Sequence, residues 1–423
     1  MDIHEHPRYS FFRALLVYIV AVLFLFYEMG LQVSPSVMAY QLMTSFNIDA
    51  GGLGIMGGFY FYSYSIMQLP TGLLFDRIGA RTLITLAIFG CALGAFFFGN
   101  TQTVALAAIG RLLMGFGSAF AFTGVLVVAA LWFRPHRFAL LVGLAQFFAA
   151  LGAMGGAYPL ALLVEVMDWR AIIIGLSFIG LILAVIAWLV IRDHPQEKMA
   201  SDVFDTPKIK ESLKKVFSKK QNFWIALFAF ASWAPIALFA ALWGVPFLKV
   251  RFSISNQLAA SSLSLIWVGL AITSPLIGWF SDRVQNRTMI MVVLSVVGLL
   301  ASLVLIYVPF IPFWTTYIWM FLIGSASAAQ ILSFAVVKDI NPPTVIATAI
   351  GFNNMAVVLG GAIFQPLVGL ILRWNWEGDY VGDTPFYTLY DYGTALVIIP
   401  LCYLVCFAAS SLLINETHCK PSY

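Results

Sequence analysis

Two ionisable side chains lie deep inside otherwise apolar stretches: Glu28 in "FLFYEMGLQV" and Arg111 in "ALAAIGRLLMGFG". A charge at the centre of a membrane span costs about 2.5–3.5 kcal/mol on insertion scales, so such residues usually bind, pair or carry protons. Three chemistries suit this pair. The two side chains can bridge each other, or Glu28 can carry a proton. They can also grip opposite ends of a zwitterion, with Arg111 holding a carboxylate as a two-pronged fork and Glu28 an ammonium. Proton coupling through Glu28 and Arg111 is compatible with either binding role.

Polar neighbours extend the candidate site. Gln32 and Ser36 follow Glu28 at i+4 and i+8, on one helix face. "YFYSYSIMQ" places Tyr60, Tyr64 and Gln68 at the same four-residue step. Gln146, Gln330, Asn353 and Asn354 are intramembrane amides, for which interhelical hydrogen bonding is the plain alternative role. Trp233, Trp243 and Trp267 are aromatic candidates, with Trp233 the one placed in the binding set, although tryptophan is common at membrane interfaces for its own sake. No histidine or cysteine spacing suggests a metal ligand set or catalytic triad, so neither a cofactor nor enzymatic chemistry is expected, and a multispan enzyme or receptor is a remote reading.

The elements that must hold these residues are membrane spans. Apolar residues form 61% of the 423-residue chain and charged ones 10%, against roughly 25% charged in soluble domains. The apolar runs predict an all-α membrane protein with twelve spans, at 12–41, 50–77, 81–99, 103–132, 137–164, 170–191, 222–249, 256–282, 287–308, 313–337, 344–372 and 391–414. No cleavage site follows the first run, which is therefore expected to be retained. Of the 23 lysines and arginines, 18 lie in the termini and even-numbered connections, which predicts an inner-membrane protein with both termini cytoplasmic. The basic residues lie in short loops, so the net charge of +4 implies no nucleic-acid partner. The domain reading is residues 1–191 and 222–423 as six-helix bundles, joined by a cytoplasmic linker at 192–221. Within the linker, "DTPKIKESLKKVF" predicts a basic amphipathic helix with an Ile209, Leu213, Val216 and Phe217 stripe, capped by Asp205 or Thr206 with Pro207 in its first turn. The long acidic and aromatic connection 373–390 reads either as a lid or as an inert ordered loop.

The halves repeat each other. "GLLFDRIGAR" and "GWFSDRVQNR" share G-x-x-x-D-R-x-x-x-R at an offset of 206, and Gly115 and Gly324 correspond at 209. Gly143 and Gly152 correspond to Gly351 and Gly360. Arg111 falls opposite Met320, and Glu28 has no acidic counterpart in span 7, so both buried charges belong to the first half.

On these residues the chain resembles the major facilitator superfamily over essentially its whole length. Gly72, Asp76, Arg77, Gly79 and Arg81 fit the loop 2–3 signature, and "RLLMGFG" and "DWR" fit further elements, whereas Gln285 replaces the later glycine in the second copy. The resemblance implies two pseudo-symmetric bundles that rock around a central cavity and move a small-molecule substrate; a monomer is expected, with proton-coupled import ahead of uniport. Gly72, Asp76, Arg77, Arg81, Asp282 and Arg283 would then form a latch, with Asp76 facing a helix N-terminus. Gly143, Gly152 and Gly156 match the antiporter pattern of span 5, but Ala157 stands at its proline, which counts against drug–proton antiport. Spans 1 to 5 look like a branch with phagosomal nutrient transporters and, distantly, lysosomal dipeptide carriers, although Gln32 stands where many relatives place arginine. The expected substrate is an amino acid or short peptide, with a carboxylate siderophore, another organic anion or a nucleoside as alternatives.

Overall fold

The computed structural model describes residues 11–133, 137–192, 209–342 and 345–420. Among these, eleven helices are long and apolar enough to cross a membrane: α1 (Phe11–Ser36), α3 (Ala80–Asn100), α4 (Val104–Trp132), α5 (Leu140–Val166), α6 (Trp169–Val190), α7 (Lys220–Phe252), α8 (Asn256–Val284), α9 (Arg287–Tyr307), α10 (Thr315–Ile340), α11 (Ile346–Asn375) and α12 (Leu389–Leu413). The twelfth span, α2 (Ala50–Ile78), is a 29-residue helix rich in glycine and tyrosine, capped where the Asp49 carboxylate accepts from the Gly52 amide. The fold is two pseudo-symmetric six-helix bundles. One end of the molecule carries the connection between α6 and α7 and is called here the linker face; the other is the opposite face.

The first span is shorter than the sequence suggests. Pro35 sits in a single tight turn, Ser34–Ser36, which ends α1. A separate helix, Ala39–Phe46, then runs until Asn47 closes it in the left-handed conformation. The run 12–41 therefore joins two elements, because apolarity continues across the proline while the backbone does not.

Glycines set the packing distances within each bundle. A Cβ added to Gly115 of α4 would lie 1.9 Å from the Tyr60 carbonyl oxygen of α2. A Cβ on Gly324 of α10 would lie 1.9 Å from the Ile266 carbonyl oxygen of α8. Both contacts bring two backbones together where no side chain fits, and both occupy corresponding places in the repeat. Just beyond them both helices break their regular ladder, at Ala119–Phe120 and at Ala328–Ala329. In α5, added Cβ atoms on Gly152 and Gly156 would meet the Phe26 and Gly30 carbonyl oxygens at 2.2 and 2.4 Å, so α5 lies directly on the stretch of α1 that carries Glu28.

Between the bundles, α2 packs along α11, with Gly54 and Gly58 against Gln365 and Pro366. The opposite face is joined by several polar links. Arg373 pairs with Asp49 at 3.0 Å, the Asn256 amide donates to the Val37 carbonyl at 2.9 Å, and Gln257 donates to Glu165. The connection after α11 forms a hairpin, Tyr380–Val381 against Thr384–Pro385, which reaches across to the first bundle. Tyr40 donates to the Val381 carbonyl at 3.3 Å, and the Thr44 and Thr384 hydroxyls meet at 2.6 Å. It is thus an ordered bridge between bundles.

At the linker face, helix Ile209–Ser218 is present, with Val216 buried and Phe217 edge-on to Phe352 of α11 at 5.1 Å. Asp205, Thr206 and Pro207 lie outside the described residues.

Candidate functional site

Glu28, Tyr60 and Arg111 come from three helices and meet at one depth. With 1.5 Å rise per residue, each lies roughly 10–15 Å from the opposite-face end of its own helix. Glu28 is fully buried, and its Oε2 accepts the Tyr60 hydroxyl at 2.8 Å, while Oε1 has no partner. Arg111 is 1% exposed; its Nη1 donates to the Leu31 carbonyl at 3.2 Å and its Nε has no partner. The guanidinium carbon stands 4.6 Å from the centre of the Tyr60 ring.

Of the three roles open to the pair, the direct bridge is not formed among the described residues. The ion pairs among the described residues are Arg287 with Asp282, Arg287 with Asp339, and Arg373 with Asp49. Tyr60 stands between the two charges, taking Arg111 on its ring face and donating a hydrogen bond from its hydroxyl to Glu28. Helical spacing showed both charges inside the membrane but not that an aromatic ring on a third helix would stand between them. Each charge keeps an unmet hydrogen-bonding atom, a condition that costs about 1–3 kcal/mol or more for charged groups in a dry interior. Such a constellation is suited to accept a ligand or proton.

Gln32 and Tyr64 belong to the same cluster. The Tyr60 hydroxyl is 3.5 Å from Gln32 Oε1, and the Tyr60 and Tyr64 rings meet edge to face at 5.8 Å. One turn further along α2, Gln68 Oε1 accepts from Asn354 of α11 at 2.5 Å, which ties the tyrosine row to the second bundle. Asn353 instead donates to Ser333 of α10 at 2.8 Å, and Ser333 donates to the Gln330 carbonyl at 2.6 Å. Asn353, Ser333 and the Gln330 backbone carbonyl thus form their own polar group inside the second bundle, without the Gln330 side-chain amide. Gln146 and Trp233 are only partly buried, and among the described residues no hydrogen bond or ion pair ties either to the α1–α2–α4 cluster.

Gln365 was not singled out by the sequence. It is 1% exposed, its amide donates to the Ala237 carbonyl at 2.7 Å, and its Oε1 has no partner. A Cβ on Gly57, one turn before Tyr60 and Phe61, would lie 2.5 Å from that oxygen. The Ala237 carbonyl belongs to a widened, π-type stretch of α7, Pro235–Trp243, whose Trp243 indole donates to the Gln365 carbonyl at 3.2 Å. The available signal was a lone glutamine before proline in "GGAIFQPLVG", facing a glycine-rich partner.

The latch residues divide between the halves. The Asp76 side chain lies outside the described residues. An added Cβ on Gly72 meets nothing within 4 Å, and Arg77 is exposed. Arg81 donates from Nε to the Trp188 carbonyl at 3.0 Å near the end of α6, with its guanidinium 3.8 Å from the Trp188 ring. In the second half, Arg283 lies over Trp279 at 5.6 Å, and Asp282 is 3.6 Å from Arg287. Arg287 also pairs with buried Asp339 at 2.9 Å, and Thr417 donates to the same carboxylate at 2.8 Å. Among the described residues, no group of three or more histidine, cysteine or acidic side chains could hold a metal ion.

Residues 20–365 match the sequence model of the Major Facilitator Superfamily, and residues 225–405 match it again. The uncharacterised transporter YybO of Bacillus subtilis is 26% identical over 291 residues, covering 63% of this chain and 66% of that protein. Sheep sialin is 24% identical over 226 residues, 52% of this chain and 43% of sialin, and the D-galactonate transporter of Escherichia coli is 28% identical over 165 residues, 38% and 37% respectively. The aligned stretches thus span less than two thirds of the length of these relatives. Among solved structures, an inward-facing, unoccupied bacterial homologue of the lysosomal transporter Spinster superposes with a TM-score of 0.73 at 16% identity, covering 95% of this chain and 98% of that one. The D-xylose–proton symporter superposes at 0.75 with 15% identity over 98% and 100%.

Proposed function

This chain belongs to the major facilitator superfamily, and from that premise we propose that it moves a small organic carboxylate across the membrane together with a proton. The observation that carries the reading is Arg111: a buried guanidinium with no carboxylate partner and an unmet Nε. A planar fork held by the Leu31 carbonyl and the Tyr60 ring is prepared to take a carboxylate without first breaking an internal salt bridge. Two relatives, one named a D-galactonate transporter and one a probable galactarate/D-glucarate transporter, support an anionic substrate.

In this reading Glu28 carries the coupled proton. Glu28 forms no ion pair among the described residues, and the Tyr60 hydroxyl is placed to stabilise its carboxylate when the proton leaves. A negatively charged Glu28 would strengthen the field holding Arg111, whereas a protonated one leaves Arg111 to the substrate. Binding and protonation would therefore favour each other. Bundles 1–191 and 222–423 are the moving bodies of a monomer, the linker 192–221 joins them, and the linker face lies in the cytoplasm of an inner membrane. Opening toward the opposite face would break the Arg373–Asp49, Asn256–Val37 and hairpin links.

A zwitterionic nutrient, an amino acid or short peptide, is the second reading. The unmet Oε1 of Glu28 favours it, because an ammonium would satisfy that atom directly.

The test is uptake by proteoliposomes under an imposed proton gradient, with D-galactonate, D-glucarate and a panel of amino acids and dipeptides. The first reading expects sugar-acid uptake that is abolished by Arg111→Lys. Glu28→Gln should abolish gradient-driven accumulation and preserve exchange of substrate for substrate. Uptake of amino acids with no sugar-acid uptake would replace the first reading by the second.

A further inference from the structure

We propose that a cavity on the opposite face is a second, peripheral binding site for a small organic carboxylate, with Lys249 supplying the counter-charge; the choice of ligand rests on the organic-anion reading above. The cavity holds about 400 Å³ and lies where the two bundles and the 380–385 hairpin meet. Ser36, Tyr40 and Gln41 enter from the first bundle, Lys249 and Asn256 from the second, and Tyr387 from the connection that carries the hairpin. This volume is within the range of small-molecule pockets.

Two side chains of the lining carry the assignment. Ser36 is 1% exposed, and its hydroxyl has no hydrogen-bond partner. A buried hydroxyl left in that state is costly unless something in the cavity meets it. Lys249 lines the same space and forms no ion pair among the described residues. Glu165 is near enough to act on its charge, but that carboxylate already accepts from the Gln257 amide. The Arg373–Asp49 pair is self-contained, and Asp391 is satisfied by the Thr388 amide and hydroxyl at 2.7 and 2.9 Å. One unpaired cation therefore shares the cavity with hydroxyls, amides and aromatic rings. That set suits a hydroxylated carboxylate: the ammonium takes the charge, the amides and Ser36 take hydroxyls, and the tyrosine rings cover the carbon skeleton.

The site is distinct from the Arg111 cluster. Ser36 lies two helical turns beyond Glu28, roughly 12 Å along α1. Its roof is also the structural bridge between bundles, since Tyr40 and Thr44 hold the hairpin and the Ala50 amide donates to the Tyr387 hydroxyl at 2.9 Å. A ligand here would touch both bundles and the element that joins them.

Calorimetric titration of the purified full-length protein with D-galactonate tests the assignment, with D-galactose as the uncharged control. The wild type should bind D-galactonate at two sites and D-galactose at neither. Arg111→Met should retain the weaker site, and adding Lys249→Met should weaken that residual binding at least tenfold, with Lys249→Arg restoring it. Ser36→Val in the Arg111→Met background provides an independent variant with the same expected loss. Loss of all binding in Arg111→Met, with Lys249→Met matching the wild type, would overturn the peripheral site and leave the central reading intact. Absence of any D-galactonate binding by the wild type would overturn both.

Discussion

The two bundles share a backbone plan and differ in where they keep their charges. Gly115 against Tyr60 and Gly324 against Ile266 are the same contact made twice, and the ladder breaks at Ala119–Phe120 and Ala328–Ala329 follow each. At the positions of Tyr60 and Arg111, however, the second bundle has Ile266 and Met320, both buried. Its own buried charges sit at the linker face instead, where Arg287, Asp339 and Thr417 form a clasp closed by the C-terminal segment. In the first bundle the matching arginine, Arg81, rests on the Trp188 carbonyl and ring. Close helix packing depends on small residues and tolerates many partners, whereas a buried charge demands a specific one. A duplicated fold can therefore retain its packing while its charged sites diverge.

The largest expected effect is functional. Arg111→Lys should reduce uptake at least a hundredfold with folding intact, because a point charge cannot replace a fork seated on Tyr60. Uptake assays paired with thermal unfolding separate loss of binding from loss of fold. The converse substitution, Met320→Arg, should create no second site. It should destabilise by about 3–5 kcal/mol, since nothing in the second bundle receives the charge. A stable Met320→Arg protein would show that the halves are less different than their side chains imply.

Asp339→Asn should cost a comparable amount, about 3 kcal/mol, by leaving the Arg287 side chain, among the described residues, with the exposed Asp282 and the buried Ser281. Arg81→Gln, which gives up the Nε bond to the Trp188 carbonyl and the contact with its ring, should cost less, about 1–2 kcal/mol. Chemical denaturation of both variants, monitored by tryptophan fluorescence, tests that difference. Gly115→Ala and Gly324→Ala should each lose about 1–3 kcal/mol by forcing backbones apart, with only Gly115→Ala also impairing transport. Equal transport loss in both would argue that the glycine contacts matter for rocking and not for the Tyr60 site.

The smallest effect concerns the tail. Glu416 is partly buried, which pushes its carboxyl up. Hydrogen bonds from the Thr288 amide and hydroxyl and from the His418 and Arg287 amides outweigh burial and hold it below the ordinary glutamate range. Its contribution is therefore present above that range and fades as pH falls through the lowered value. Cys419, whose thiol bonds the Ser281 carbonyl beside it, reports on the clasp. Thiol labelling of Glu416→Gln should exceed that of the wild type several-fold at neutral pH, and the ratio should approach one in acid. A ratio of one at all pH values would remove Glu416 from the clasp.

The amino-acid sequence by itself determined the spans, the repeat and the confinement of both buried charges to the first half. These follow from apolar run lengths, a fixed offset between motifs, and the identities of Glu28, Arg111 and Met320. It also placed Gln32, Tyr60 and Tyr64 on helix faces that prove to share one cluster. Only the tertiary structure decided that Tyr60 stands between Glu28 and Arg111, that Gln365 faces Gly57, and that Asp339 answers Arg287. Helical periodicity fixes which residues share a face of one helix. The partner across the gap depends on each helix's rotation and depth, which are set by the glycine contacts among all of them. Pro35 illustrates the same limit: hydropathy carried the first span to residue 41, and the tight turn that ends it at Ser36 is a property of the backbone.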